Sequence, residues 1–165
     1  MPVETRKAQF PDLGAMANIY NQGIEERIAT FESDEKSTKD IEHWLNSGFP
    51  VVVALQDGEV VAFAASFPYS ARVCYRGIGE FSVYVNRESR GSGIGTTVME
   101  ALIREAKKNG IWKLVSRVFV ENASSRKMLR NLGFREVGIY EKHAQLDKVW
   151  KDVVIVEYLI LENIN

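Results

Sequence analysis

Three glycines in five residues, within Arg90-Gly91-Ser92-Gly93-Ile94-Gly95, link an alternating segment to an amphipathic one. Before them stands Glu80-Phe81-Ser82-Val83-Tyr84-Val85; after them runs Thr96 to Lys108. The first reads as a strand and the second as a helix. A strand, a glycine turn and a helix together hold a pyrophosphate. Glycine lets the backbone approach an anion without a Cβ in the way. The free N–H groups and positive dipole of a helix N-terminus then bind it. A dinucleotide fingerprint needs G-x-G-x-x-G, and Gly91, Gly93 and Gly95 miss that spacing. A P-loop needs Gly-Lys-Ser/Thr, which does not follow.

The other segments alternate between the two periodicities. Val3 to Ala8 reads as a strand, and Pro11-Asp12 opens a helix with Leu13, Met16, Ile19, Tyr20 and Ile24 at helical spacing. Glu26 to Lys36 reads as a polar loop, and Ser37 or Thr38 caps a short helix through Leu45. Val51 to Leu55 and Val60 to Phe67 flank Asp57-Gly58, a strong hairpin signal. A loop with Arg72, Cys74, Tyr75 and Arg76 leads to the Glu80 strand. The long helix spans about Gly93 to Lys108 and stops at Asn109-Gly110. Trp112 to Val120 is a further strand, and Asn122 caps a helix ended by Gly133. Phe134 to Tyr140 and Val149 to Leu161 are the last strands. The order implies an α+β fold: a mixed sheet with helices on both faces. With no linker or repeat, residues 1–165 read as a single domain.

The bulk numbers exclude several classes. A net charge of −1 and a pI near 6.2 argue against a nucleic-acid face. No apolar run approaches the roughly 20 residues of a membrane span. Met1 is followed by Pro2-Val3-Glu4, without a signal pattern, and Cys74 is the lone cysteine. The chain is therefore expected to be cytoplasmic and full length. Two histidines and one cysteine make no metal site, so no metal is expected. Cys74 reads best as a small buried apolar group, and His43, beside Trp44, as a surface or packing residue.

Arg90, Gly93 and Gly95 match the pattern of arginine or glutamine, two residues, glycine, one residue, glycine. With Glu121-Asn122-Ala123-Ser124-Ser125 and Leu132-Gly133-Phe134-Arg135, they resemble the acetyl-CoA motifs of the GNAT superfamily of N-acetyltransferases. The Glu80 strand, the loop with Arg72 and Tyr75, and Lys142-His143 with Trp150, Asp152 and Val153 resemble the phosphinothricin-type members. Arg27 to Glu32 and this tail look most like the arsinothricin-resistance branch. The resemblance covers nearly the whole chain.

It implies a mostly antiparallel sheet splayed between two strands, with acetyl-CoA as co-substrate in the splay. The pantetheine would pair with the backbone of Val83, Tyr84 and Val85, much as an added strand does. The pyrophosphate would sit on Arg90, Gly91, Ser92, Gly93, Ile94, Gly95 and Thr96, with Asn122 and Ser125 along the pantetheine arm. Glu80 would be the general base, and His143 would place substrate or move a proton. Arg72, Arg76 and Arg27, with Tyr75 and Phe31, would bind an amino acid bearing a phosphinate or arsonate, for which arginine's fork is suited. Each also has a plainer reading: a strand-end carboxylate, loop charges, core aromatics. A homodimer is expected. Many members carry a tyrosine as the acid for the leaving thiolate; Leu129 stands there. Acetylation of another small amine, such as methionine sulfoximine or sulfone, or a non-catalytic acyl-CoA-binding module, are the alternatives.

Overall fold

A computed structural model describes residues 2–165. Seven strands form one sheet: β1 (Val3–Lys7), β2 (Val51–Gln56), β3 (Glu59–Pro68), β4 (Ile78–Val85), β5 (Lys113–Phe119), β6 (Arg135–Leu146) and β7 (Val149–Leu159). Their order is β1-β2-β3-β4-β5-β7-β6, and every neighbouring pair is antiparallel except β4–β5. The helices are α1 (Leu13–Glu26), α2 (Thr38–Ile41), α3 (Ile94–Lys108) and α4 (Ala123–Leu132). The expected α+β sheet with helices on both faces is what forms.

One face of the sheet packs Val53, Phe63, Ala65 and Tyr84 beneath Met16, Ile19, Tyr20 and Ile24 of α1. The other packs Val52, Ala64, Phe81, Leu114 and Val156 beneath Val98, Met99 and Leu102 of α3. Apolar residues at three- and four-residue spacing give each helix its buried stripe. Asp57 and Gly58 both take positive φ (53° and 79°), the primed turn expected between β2 and β3.

Two expectations need correcting. The short helix breaks after Ile41 into a tighter 3₁₀ turn over Glu42–Asn46. The penultimate strand does not stop at Tyr140 but runs to Leu146. Between Tyr140 and Ala144 the register shifts, with Lys142 at φ 47°, so Lys142 and His143 sit on a bulge rather than a loop. The bulge breaks the alternation that marks a strand in sequence, so the pattern ends at Tyr140 although the strand does not.

The functional part of the sheet lies where β4 meets β5. They pair only from Ile78–Lys113 to Glu80–Val115, and then part. Trp112 clamps the closed end: its N–H donates to the Gly77 carbonyl at 2.8 Å. A Cβ on Gly77 would lie 2.0 Å from the Trp112 ring. Gly77→Ala is therefore expected to cost about 1–3 kcal/mol by overpacking and to lower Tm by several degrees. A calorimetric melt within 1 °C of the parent would refute this.

The start of α1 is tied to β1 by a nearly buried carboxylate. Asp12 accepts two hydrogen bonds from Arg6, at 2.7 and 3.0 Å, and one from the Gln9 N–H at 2.7 Å. The Arg6 bonds hold its carboxyl below the usual range, against the effect of burial. A carboxyl depressed in the folded state stabilises fully above its unfolded pKa, roughly 4, and loses this as pH falls through the folded value. Asp12→Asn should therefore lower Tm clearly at pH 7 and far less near pH 2. An equal loss at both would show that the ion pair is not the source.

Candidate active site

The parted strands leave a backbone edge. The Phe81 carbonyl accepts the Ser116 hydroxyl at 2.8 Å, so this carbonyl faces β5. In a strand, residues two apart point their polar backbone groups the same way. Val83 and Val85 therefore also face the gap, and the Val85 carbonyl meets Arg90 Nε at 3.3 Å. From the gap a groove of about 510 Å³ runs between Val83 and Val85 of β4, the glycine turn, and Asn122 and Ser125.

The glycine turn is shaped as an anion cradle. Gly91 and Gly93 take φ of 80° and 82°, with nothing within 4 Å of a Cβ at either. Their need for glycine is backbone conformation, not space. Gly95 is the reverse: a Cβ there would lie 2.9 Å from Met128 Sδ, so α3 and α4 can approach. Gly93 caps α3 without a side chain on the first-turn N–H groups, which face the groove through Ile94, Gly95 and Thr96. Arg90 lines the groove, yet its guanidinium is held bidentately by Glu26 at 2.9 and 2.7 Å. That bond holds the Glu26 carboxyl below its ordinary range.

Asn122 caps α4 by accepting the Ser125 N–H at 3.2 Å, and donates to the Ile28 carbonyl at 3.4 Å. One side chain thus fixes the helix and the loop that roofs the groove. A narrow passage of about 60 Å³ continues inward past Val83, Ser116, Arg117 and Leu129. Beyond it lies a front cavity of about 500 Å³, walled by Tyr69, Tyr75, Glu80, Arg117 and Tyr140. Groove and passage share Val83 and Asn122; passage and cavity share Ser116 and Arg117. Glu80 stands in the cavity, bonded to Arg117 Nη2 at 2.6 Å.

The remaining predicted residues scatter. Tyr75 walls the cavity, edge-on to Tyr69 with centroids 5.7 Å apart. Arg72 stacks over the outer part of this pair, 5.6 Å from the Tyr75 ring centre, and does not wall the cavity. Arg76 turns away onto Trp112, at 5.8 Å, and donates to the Val73 carbonyl. Arg27 pairs with Asp147 at 3.3 Å, and Phe31 packs edge-on against Phe119 at 4.7 Å, in a separate small cluster. His143 is exposed and leans on Tyr140, ring centres 5.1 Å apart. Cys74 is exposed, contrary to the buried reading, because it sits on the outward turn Val73–Tyr75.

Sequence reasoning missed Arg117, Lys113 and Glu157 at the cavity. Glu157 is held by Arg135 at 2.6 Å and by Lys113 at 3.1 Å, and these, Arg135 first, keep its carboxyl below the usual range. Alternation does place Lys113 and Arg117 on one face of β5, but only the register shows that Glu80 shares it. Among the described residues no cluster of His, Cys, Asp and Glu could hold a metal, and no helix is long and apolar enough to cross a membrane.

The groove, the unfilled strand edge and the uncapped helix start fit a nucleotide-tailed thioester. A family profile described as the acetyltransferase (GNAT) family matches residues 16–134. The chain belongs to the GNAT family; it is an N-acetyltransferase that takes its acyl group from acetyl-CoA. It is 28% identical to an L-methionine sulfoximine/L-methionine sulfone acetyltransferase of Pseudomonas paraeruginosa, over 95% of this chain and 94% of that one. A ribosomal-protein-alanine N-acetyltransferase structure from Brucella melitensis superposes with TM-score 0.91 at 32% identity, over 95% and 99% of the two chains. A phosphinothricin acetyltransferase from Sinorhizobium meliloti, in complex with acetyl-CoA, gives 0.89 at 26% identity, over 96% and 89%.

Gly93→Ala tests the cradle. Holding an L-residue at that φ costs about 1–2 kcal/mol, or roughly 5- to 30-fold. KM for acetyl-CoA should rise by that factor in steady-state kinetics, with KM for the amine little changed. Unaltered acetyl-CoA affinity would place the anion elsewhere.

Proposed function

We propose that this chain transfers the acetyl group of acetyl-CoA to the α-amine of a small oxyanion-bearing amino acid, of the phosphinothricin or arsinothricin kind. Methionine sulfoximine and sulfone are the alternative acceptors. The observation that carries this reading is the junction: the groove and the front cavity are joined by a passage lined by Arg117, to which Glu80 is bonded from the cavity side. Two substrates can approach one point from opposite sides, which favours direct transfer over a covalent enzyme intermediate. Acetyl-CoA supplies the activated acyl carbonyl. The chain supplies position and a base.

Val83 and Val85 hold the donor by strand-like pairing, while the N–H groups of the glycine turn and of Ile94, Gly95 and Thr96 hold its diphosphate. Asn122 and Ser125 border the arm between them. Glu80 takes the proton that an α-ammonium must lose before it can attack, directly or through one water. A free N–H on the β4 edge faces the charge that develops on the carbonyl oxygen. Tyr75 and Tyr69 wall the acceptor, and Arg72, at the rim, meets a distal oxyanion.

No tyrosine stands at Leu129, which is buried in the passage. Burial pushes the Tyr84 hydroxyl up, so it is a poorer acid than a free phenol. Tyr140 walls the cavity and is the acid that best fits, with His143 against it.

Two copies would pair through β6, the edge strand, whose Val137, Ile139 and Tyr140 are exposed. Such a face on an edge strand is a pairing surface. This dimer would close the open side of the cavity. Acetylation that neutralises an amino-acid toxin is a resistance activity, and the cytoplasm, where acetyl-CoA is made, is its place.

Glu80→Gln keeps the shape and removes the base. We expect kcat to fall at least tenfold, and by as much as the roughly 10²–10⁴ that general-base help supplies, with acetyl-CoA affinity retained. Full activity in a thiol-release assay over phosphinothricin, arsinothricin and methionine sulfoximine would remove Glu80 from the mechanism.

A further inference from the structure

We infer that Arg117 clamps the α-carboxylate of the acceptor, so that this site takes free α-amino acids and refuses peptide N-termini. The inference rests on the acetyl-transfer reading above and narrows its acceptor.

Arg117 lies two residues beyond Val115, the β5 partner of Glu80, so the two side chains rise from the same face of the sheet. Arg117 alone among the charged residues borders both the inner passage and the front cavity. Its guanidinium is largely uncommitted. Nη2 meets Glu80 Oε1 at 2.6 Å, and among the described residues no acceptor takes its Nε or Nη1. Arg6, Arg90 and Arg126 each present two nitrogens to a single carboxylate. The other cation of the cavity, Lys113, is already closed on Glu157 at 3.1 Å. Arg117 is therefore the cavity cation with open donors.

A free amino acid carries its ammonium and carboxylate on one carbon. A carboxylate and a guanidinium in direct contact form the complementary pattern. When such a zwitterion enters, the ammonium takes Glu80 and the carboxylate takes the fork of Arg117, so one ion pair becomes two. A peptide N-terminus brings an ammonium next to a neutral amide. It must part Arg117 from Glu80 and offers the guanidinium no anion in return. Relatives of both kinds exist, so likeness alone does not choose between them; the open fork of Arg117 does.

The test compares methionine sulfone with methionine sulfone amide and with a short peptide beginning in alanine. For the parent enzyme, kcat/KM should be roughly 10- to 100-fold higher for the free acid, as expected for a charged hydrogen-bonded contact. Arg117→Gln should lower the free acid by a similar factor and leave the amide equal or better, since the guanidinium that the amide had to part from Glu80 is gone, closing the gap, with KM for acetyl-CoA unaltered. Arg117→Lys, which keeps the charge without the fork, should recover part of it. An equal rate for acid and amide in the parent, a gap that persists in Arg117→Gln, or efficient turnover of the peptide would overturn the inference while leaving acetyl transfer intact. Silence toward every α-amine would sink the acceptor reading together with it.

Discussion

The parting of β4 from β5 beyond Glu80 and Val115 is the constraint on which the site depends. An unpaired strand edge inside a protein is costly, because each buried N–H or carbonyl without a partner forfeits about 1–3 kcal/mol. Local groups satisfy part of this edge. Ser116 takes the Phe81 carbonyl, and Arg90 reaches Val85. The remainder is left for an extended ligand. The gap persists because both of its ends are fixed. Trp112 closes one end against Gly77, and at the other the Tyr84 ring lies so close to α1 that a Cβ on Gly23 would stand 2.9 Å from it. The helices on the two faces offset the missing ladder bonds with buried apolar area.

Charge is distributed by the same logic. The proposed diphosphate calls for a free cation, yet the arginine of the glycine turn is held by Glu26. Their side chains are 45% and 29% exposed, so the pair contributes on the order of 1 kcal/mol at most. Exchanging Glu26 for a phosphate therefore costs little, and until then the pair holds the turn against the end of α1. The N–H groups at the start of α3 have no side-chain cap and already face the groove. Arg117 and Glu80 stand in a similar relation on the acceptor side: an exposed pair at 2.6 Å, weak enough to open for a zwitterion.

The residues that line the groove were legible in the sequence because they are local. A glycine turn, the helix start after it and the Asn122 cap each occupy a few consecutive residues, and their chemistry follows from backbone geometry. The sheet alternation and the Asp57-Gly58 hairpin were legible for the same reason. The acceptor side was not, because it is assembled from β4, β5, β6, β7 and the Tyr69–Tyr75 loop. Lys113 and Glu157 form one ion pair across neighbouring strands, yet 44 positions separate them. Arg76 and Arg27 carry the right chemistry for an oxyanion, but Trp112 and Asp147 engage them. Only register and packing decide which arginine faces the substrate.

Leu129 poses a last question: how the thiolate leaves without the usual tyrosine. An unperturbed thiol ionises near pH 8.5, so leaving as the anion at pH 7 costs only about 2 kcal/mol relative to the protonated form. A buried apolar residue in the passage does nothing to lower that cost. The front cavity is open, with exposed Tyr140 on its wall, so a proton can return from that side after transfer. With no acid at Leu129, Tyr140 on the cavity wall is the proton source that the proposed reaction would use. In the reaction proposed above the base is then the larger demand, and Glu80 and Arg117 both line the front cavity.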